Sequence, residues 1–377
     1  MTPAPKPWPC CSKAWPARWR VKLTKPGLKL VGKPTVNDIA RVAGVSLATV
    51  DRVLNERPGV RAITIKKVRA AIAELGYVRD TAAANLARQR VYNILFILPD
   101  TSNEFVQALH NQIADQADKL ANERTRLSTI SAKPFDPLDI VAILDGLDPG
   151  TIDGVALFSP ETPSVRDAVN RARDKGIAVV ALVSDLPSSR RDHFVGIDNI
   201  SAGRTAAQLL GRFLRRPGKV LVITGSRLAR DHLERRQGFD MVAAAQFPEL
   251  QVLASVEGRD DPDLIYKLLP EVFNAYPDLR GIYSSAAGNA GLIQFLSETA
   301  APKDLVVIAH ELTPLTRQAL NQGTFDALIS QDCGHLVRSC VRVLRAKVDN
   351  VPHNPAQERI RIDIYMKENM PPEPNAT

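Results

Sequence analysis

Residues 46–55, SLATVDRVLN, follow an Ala43-Gly44-Val45 turn and bring small, hydroxylated and charged side chains together at helical spacing. Wound as a helix, the stretch sends Val50, Val53 and Leu54 to one side. Leu47, Ala48, Asp51, Arg52 and Asn55 go to the other, with Ser46 and Thr49 at the flanks. The major groove of DNA admits a helix, and an arginine there pairs bidentately with guanine O6 and N7. The chemistry on offer is recognition of base edges; a small bundle with a solvated face is the plain alternative. A second set of polar side chains lies farther along the chain, at the ends of apolar stretches: Asn103, Phe105, Asp185, Asp198 and Asn199, then Arg235, Arg236, Asn289, His310, Glu311, Gln331 and Asp332. Amides, carboxylates and an arginine fork suit a polyhydroxylated ligand whose C–H side an aromatic ring covers. Taken singly each is an ordinary loop or capping group; as a set they favour a ligand cleft.

No catalytic constellation emerges. The segment HELTP at His310 has no second histidine for a zinc helix, and the chain has no P-loop, no G-x-S-x-G and no G-x-G-x-x-G. No catalytic residue, metal or cofactor is expected. Cys10 and Cys11 are adjacent, Cys333 and Cys340 lie near the other end, and no C-x-x-C joins them, which fits reduced thiols. No apolar run approaches the ~18 residues of a membrane span. The opening residues are rich in Pro, Lys, Arg and Trp and lack the continuous apolar stretch of a signal peptide. The expected location is the cytoplasm, with no membrane association.

Charge is unevenly placed. The first 92 residues hold 8 Lys and 10 Arg against 5 acidic residues, or +13, whereas the remainder carries −5 and the whole chain +8. A basic head on a mildly acidic body directs only the head toward a polyanion.

The elements that must position these residues are legible in outline. Thr35 and Asp38 form a Thr-x-x-acid cap for a helix running to about Ala43, and Gly44 supplies the positive φ of a tight turn. Ser46 caps a second helix. A third spans about Thr64–Leu75, with Val68, Ala71, Ile72 and Leu75 on its apolar stripe and Gly76 as its C-cap. Each is near or below the ~12 residues at which an isolated helix is marginal, so the three must pack on one another. Ala82, Ala83, Leu86 and Ala87 then make an apolar strip too weak to hold a helix in water. From Asn93 onward, eleven short apolar stretches follow: NILFIL, RLSTIS, GVALFS, AVVALVS, FVGID, KVLVITG, LASVEG, GIYSSA, LVVIAHE, FDALISQ and IRIDIYM. Amphipathic stretches separate the first ten, which means parallel sheets covered on both faces. Eleven strands are many for one open sheet, so two Rossmann-like lobes of five or six strands are expected, with a crevice at the carboxyl ends of the strands.

The stretch TVNDIARVAGVSLATVDRVLN carries the pattern Thr, hydrophobic, x, Asp, hydrophobic, Ala, then Ala-Gly-Val-Ser, x, x, Thr-Val, x, Arg-Val, x-Asn. Through it, residues 35–90 resemble the DNA-binding head of the LacI/GalR (lactose/galactose repressor) family. The resemblance implies that Leu47, Ala48 and Arg52 read base edges, and that Thr35, Ser46, Thr49 and Asn55 make phosphate or capping contacts. Asp51 stands where the family usually has Ser. A carboxylate there is repelled by phosphate unless it accepts from a cytosine amine or pairs with Arg52. The resemblance also implies a hinge that folds on DNA, with Leu86 of both subunits wedging a minor-groove base step and Ala83 beside it. Arg79 replaces the proline common in that hinge.

More weakly, residues 92–366 resemble the family's ligand domain and the periplasmic sugar-binding proteins, through PDTSNEF, FVGIDNISAGRTAAQLL and ERRQGF. Arg235, three before Gly238, would clamp sugar hydroxyls, and Gln331 of ISQD falls where the family often contacts ligand. SAAGNAG replaces the usual Asn-Asp pair after the Tyr283 stretch, which leaves Asn289 as the substitute. AHE at 309–311 replaces Gly-x-Asp, with Glu311 as the stand-in.

The expected fold is therefore an α N-terminal helix-turn-helix domain plus an α/β two-lobed periplasmic-binding-protein-like (type I) ligand domain. Its expected parts are a disordered basic extension (1–33), the DNA-binding domain (34–78), a hinge helix or linker (79–91), the effector-binding and dimerisation domain (92–366) and a flexible tail (367–377). The implied function is a transcription regulator, a repressor by family default. It binds a pseudo-palindromic double-stranded operator as a homodimer and responds to a small polyhydroxylated effector, a sugar, polyol or derivative. A tetramer is not expected, because ENMPPEPNAT offers no heptad. The alternatives are a solute-binding protein for sugar uptake, which requires export, and an enzyme on a Rossmann-like scaffold.

Overall fold

The computed structural model of the 377-residue chain describes residues 34–54, 57–77, 90–299, 302 and 304–372. It divides into two compact units, Met1–Ala87 and Arg88–Thr377.

In the first unit, α1 (Val36–Ala43) opens on a capping box. The Thr35 hydroxyl accepts from Asp38 N at 3.4 Å, and Thr35 N donates to Asp38 Oδ2 at 3.0 Å. Gly44 ends the helix at φ 64°, left-handed backbone that glycine adopts without strain. Ser46 Oγ accepts from Thr49 N at 3.3 Å at the start of α2 (Leu47–Leu54). The third helix, α3 (Ala62–Leu75), starts earlier than the expected Thr64 and, as expected, closes on Gly76 at φ 60°. Ile39, Val50, Val68 and Ala71 are fully buried against one another. That shared core is what holds two helices of eight residues each, too short to persist alone.

The second unit contains two sheets. The first joins β1 (Tyr92–Pro99), β2 (Thr125–Ala132), β3 (Gly154–Leu157), β4 (Ala178–Leu182) and β5 (His193–Val195) in the order β2-β1-β3-β4-β5, all parallel. The second joins β6 (Gly218–Thr224), β7 (Leu250–Val252), β8 (Val256–Glu257), β9 (Leu279–Ser284), β10 (Val306–His310), β11 (Ala327–Ser330) and β12 (Asp363–Tyr365). Its order is β12-β11-β10-β9-β6-β7, with β8 also on β6. Only β12 runs antiparallel, opposite β11. The described residues thus hold twelve strands, because the expected LASVEG strand shrinks to Val256–Glu257 and Leu250–Val252 pairs separately on β6.

Helices cover both faces, so GVAL and AVVAL are buried at every position and read as unbroken apolar runs. On the first lobe they are α4 (Glu104–Leu120), α5 (Pro137–Asp145) and α6 (Pro163–Asp174); on the second, α7 (Asn199–Phe213), α8 (Arg230–Gln246), α9 (Pro262–Ala275), α10 (Asn289–Glu298) and α11 (Pro314–Gln322). The last helix, α12 (Cys333–Val348), leaves β11 of the second sheet and packs against β3, β4 and α4 of the first. Phe96, Val180, Val222, Tyr283, Ile308 and Leu336 belong to one continuous core running through both lobes. Each fully buried side chain of that size contributes roughly 1.5–3 kcal/mol.

Candidate functional site

On α2 the fully buried side chain is Val50, whereas Leu47, Ala48, Asp51 and Arg52 are exposed and Thr49 is half-buried. Leu47 is 50% exposed. Asp51 Oδ2 accepts from Arg57 Nη1 at 3.4 Å, an ion pair with an arginine after the helix. Thr35 and Ser46 both act as helix caps. Asn55, Ala83 and Leu86 lie outside the described residues.

In the second unit, a cavity of about 130 Å³ lies at the carboxyl ends of the strands. A neighbouring cavity of about 430 Å³ shares Asn103, Phe158, Asp231, His232 and Asp260 with it. Asn103, Phe105, Arg235, Asn289, Glu311 and Gln331 all line the smaller one. Asp185 lines neither, contrary to the expectation. Its carboxylate is turned to Arg191 in its own lobe, accepting from Nη2 at 2.7 Å and from Nε.

Arg235 is the centre of the arrangement. It is 4% exposed; its Nε donates to Asn199 Oδ1 at 2.9 Å and its Nη1 to the Ser285 carbonyl at 2.8 Å. It is brought there by a very close crossing of α7 and α8. A Cβ on Gly203 would overlap the Arg235 carbonyl oxygen, and one on Gly238 would overlap that of Ile200. Asn103 caps α4 by accepting from Phe105 N at 2.9 Å. Asn289 ties two strand ends together, accepting from Ser284 Oγ at 2.7 Å and donating Nδ2 to the His310 carbonyl at 3.4 Å. Glu311 sits at φ 67°, strained for a residue with a Cβ. Its Oε1 accepts from Gln331 Nε2 at 2.9 Å, and Oε2 from Gln331 N and Ser330 Oγ, each at 3.3 Å. Burial pushes this carboxyl above its ordinary range, Arg235 opposing.

Asp231, His232 and Asp260 also line the smaller cavity. Asp231 and His232 precede Arg235 by four and three positions on α8, so helical spacing from the arginine would have found them. Asp260 gave no such signal. It follows Arg259 in left-handed backbone (φ 50° and 58°), and its Oδ1 accepts from Ala287 N at 3.2 Å. Gly225 leaves room for it, since a Cβ there would come within 2.6 Å of Asp260 Oδ1. Burial raises the Asp260 carboxyl, and the neighbouring Asp231 adds to the effect while His232 opposes it.

His310, on the cavity floor, shares a hydrogen bond of 2.9 Å between Nε2 and the Tyr283 hydroxyl. Burial, then Arg235 and His232, hold its imidazole well below 6.5, so the ring is neutral. Among the described residues, Asp231 Oδ1, His310 Nδ1 and Gln331 Oε1 are buried with no hydrogen-bond partner. Buried polar atoms are nearly always satisfied, and these three gather around one cavity. The described residues contain no His, Cys, Asp and Glu group arranged to hold a metal ion, and no helix among them is long and apolar enough to cross a membrane.

Comparison with known proteins agrees with both units. Residues 35–80 match the family of bacterial regulatory proteins, lacI family, and residues 94–350 match the periplasmic binding protein domain. The chain is 30% identical over 179 residues to the HTH-type transcriptional regulator DegA of Bacillus subtilis (strain 168), covering 47% of this chain and 52% of that protein. It is 34% identical over 179 residues to the HTH-type transcriptional regulator RegA of Clostridium saccharobutylicum, covering 47% and 51%. The chain thus spans about half the length of the curated relatives it matches. Among solved structures, GanP, a glucose-galactose binding protein from Geobacillus stearothermophilus, superposes with a TM-score of 0.68 at 21% identity, over 75% of this chain and 99% of that one; this is a likeness of fold. Through residues 94–350 the chain belongs to the periplasmic binding protein domain family, and its capped helix-turn-helix head, residues 35–80, is a lacI-family domain of bacterial regulatory proteins.

Proposed function

We propose that this protein is a cytoplasmic, ligand-responsive transcription regulator that acts as a homodimer on a pseudo-palindromic operator. The observation that carries the reading is the presence on one chain of an exposed helix face and a cleft bordered by three unsatisfied buried polar atoms. α2 enters the major groove, where Leu47, Ala48 and Arg52 meet base edges and Thr35, Ser46, Thr49 and Asn55 lie along the phosphates. Asp51 is paired with Arg57 beside this face. Residues 79–91 form the hinge, with Ala83 and Leu86 in the minor groove. A small sugar-like effector sits against Asn103, Phe105, Arg235, Glu311 and Gln331, while Asn289 fixes the strand ends beneath it. The glucose-galactose binding named for GanP supports this ligand class. Effector binding changes lobe closure, and with it operator affinity, by a coupling of about 1–3 kcal/mol. Repression relieved by effector is the working direction.

The test is a gel-shift titration of the full chain against double-stranded DNA from around its own gene, at low and at moderate salt. A complex that prefers one sequence and weakens with salt supports the reading. Equal binding to every duplex, or none, overturns it.

A further inference from the structure

We propose that the cleft takes a hydroxylated amine, an amino sugar or amino polyol carrying a protonated nitrogen, in preference to a neutral or anionic sugar. This deepens the effector reading above and rests on it. Four carboxyl side chains line the smaller cavity, Asp231, Asp260 and Glu311 with Glu104 at the rim, against one guanidinium, that of Arg235. That guanidinium is largely committed, with Nε on Asn199 and Nη1 on the Ser285 carbonyl.

The unsatisfied atoms have a sign. Asp231 is 3% exposed and its Oδ1 has no partner among the described residues. Its other oxygen lies 3.6 Å from His232 Nε2. That nitrogen carries the ring proton, because Nδ1 accepts from Ser226 N at 3.2 Å. Gln331 is 4% exposed; its Nε2 donates to Glu311 Oε1, which leaves its own Oε1 buried without a partner among the described residues. Two buried acceptors therefore wait for donors, in a site where carboxyl groups outnumber cationic ones. A hydroxyl brings one donor and two lone pairs, whereas an ammonium brings three donors and no lone pair. A cation also offsets the large cost of a buried, half-paired carboxylate, which a neutral ligand does only through single hydrogen bonds. A phosphate or carboxylate would face the same acidic groups and be repelled. The third orphan, His310 Nδ1, stays available for a ligand hydroxyl.

The experiment is isothermal calorimetry on the full chain with matched pairs: D-glucose and D-glucosamine, D-galactose and D-galactosamine, sorbitol and 1-amino-1-deoxysorbitol, and glucose 6-phosphate as the anionic probe. In at least one pair the amine is expected to bind tenfold or more tightly than its hydroxyl parent. Asp231→Asn should erase that ratio, and Glu311→Gln provides a second variant should the first fail to fold. Neutral parents binding as well as or better than their amines, binding of the phosphate alone, or no binding by any probe would overturn the proposal. A neutral sugar that binds and shifts the operator complex overturns only the amine preference and leaves the regulator standing. Loss of sequence-preferring DNA binding would remove the regulator reading while the amine preference stayed measurable.

Discussion

Arg230 of the second lobe donates from Nη1 to Glu161 Oε2 of the first lobe at 2.8 Å. The contact is doubled by the backbone, where Glu161 N donates to the Leu228 carbonyl at 3.1 Å. On the other side, Arg230 Nε is held by Glu234 at 2.7 Å. The pair joins the lobes beside the cleft, so it stabilises one degree of closure. The two side chains are 34% and 16% exposed, which limits the pair to below about 1 kcal/mol. Glu161→Gln should raise the effector dissociation constant about twofold to fivefold, and adding Arg230→Gln should cost little more. Calorimetry on the two single variants and the double checks this; additive losses would show that the two residues act separately.

The crossing of α7 and α8 depends on having no side chain at Gly203. Gly203→Ala would push a methyl into the Arg235 carbonyl, backbone that cannot swing aside. Overpacking of this kind costs about 1–3 kcal/mol, and the arginine it displaces should weaken the effector response as well. A thermal melt and an effector titration on the same sample would show both losses; a native melt with a native response would contradict the account of the crossing.

Arg52→Ala should lower affinity for the preferred operator by about 1–3 kcal/mol while nearly sparing binding to unrelated DNA. Competition gel shifts measure the ratio. Equal loss on both would assign Arg52 to phosphate.

Arg235→Ala should abolish the effector response and leave ligand-free operator affinity unchanged. Asn199 Oδ1 and the Ser285 carbonyl lose their donor, so melting should fall by the equivalent of about 1–3 kcal/mol for the stranded groups. An unchanged effector midpoint in operator release would disprove the role of the cleft.

A pH dependence follows from His310. Its folded imidazole is held well below 6.5, by burial first, so below that pH the unfolded chain takes up a proton that the folded one refuses. The contribution is whole above pH 6.5 and is lost as pH falls toward the lower folded value. Glu311 and Asp260 work the other way: their raised carboxyls let the folded state keep protons longer, and their share is lost as pH rises through the raised values. His310→Gln should therefore flatten the fall in melting temperature between about pH 7 and about pH 5.5. Calorimetric melts of both proteins at the two pH values decide it.

The head was legible because its signals are local. Thr35 with Asp38 and the glycines at 44 and 76 announce helix ends within a few residues, and the structure has them there. The alternation of the body was legible too, since both-side burial leaves unbroken apolar runs. What sequence could not show was the geometry created by distant parts. LASVEG looks like one strand, yet the strands near it are two short pieces separated by residues 253–255. Asp185 stands at a strand end as a ligand group would, but six residues on Arg191 takes its carboxylate. Asp260 enters the cleft only because two successive residues adopt left-handed backbone, a choice that no composition signals. Asp51 pairs with Arg57, six residues on and beyond the end of α2, a contact that helical spacing does not signal.

The route of α12 has a consequence for engineering. The helix is numbered after the second lobe but roofs the first, with Leu336, Val337, Cys340 and Val341 buried there. Neither lobe is a single run of chain, so no one cut separates them. A chimera meant to import a new ligand preference would have to exchange segments on both sides of residue 333 together, or leave a borrowed sheet without its lid.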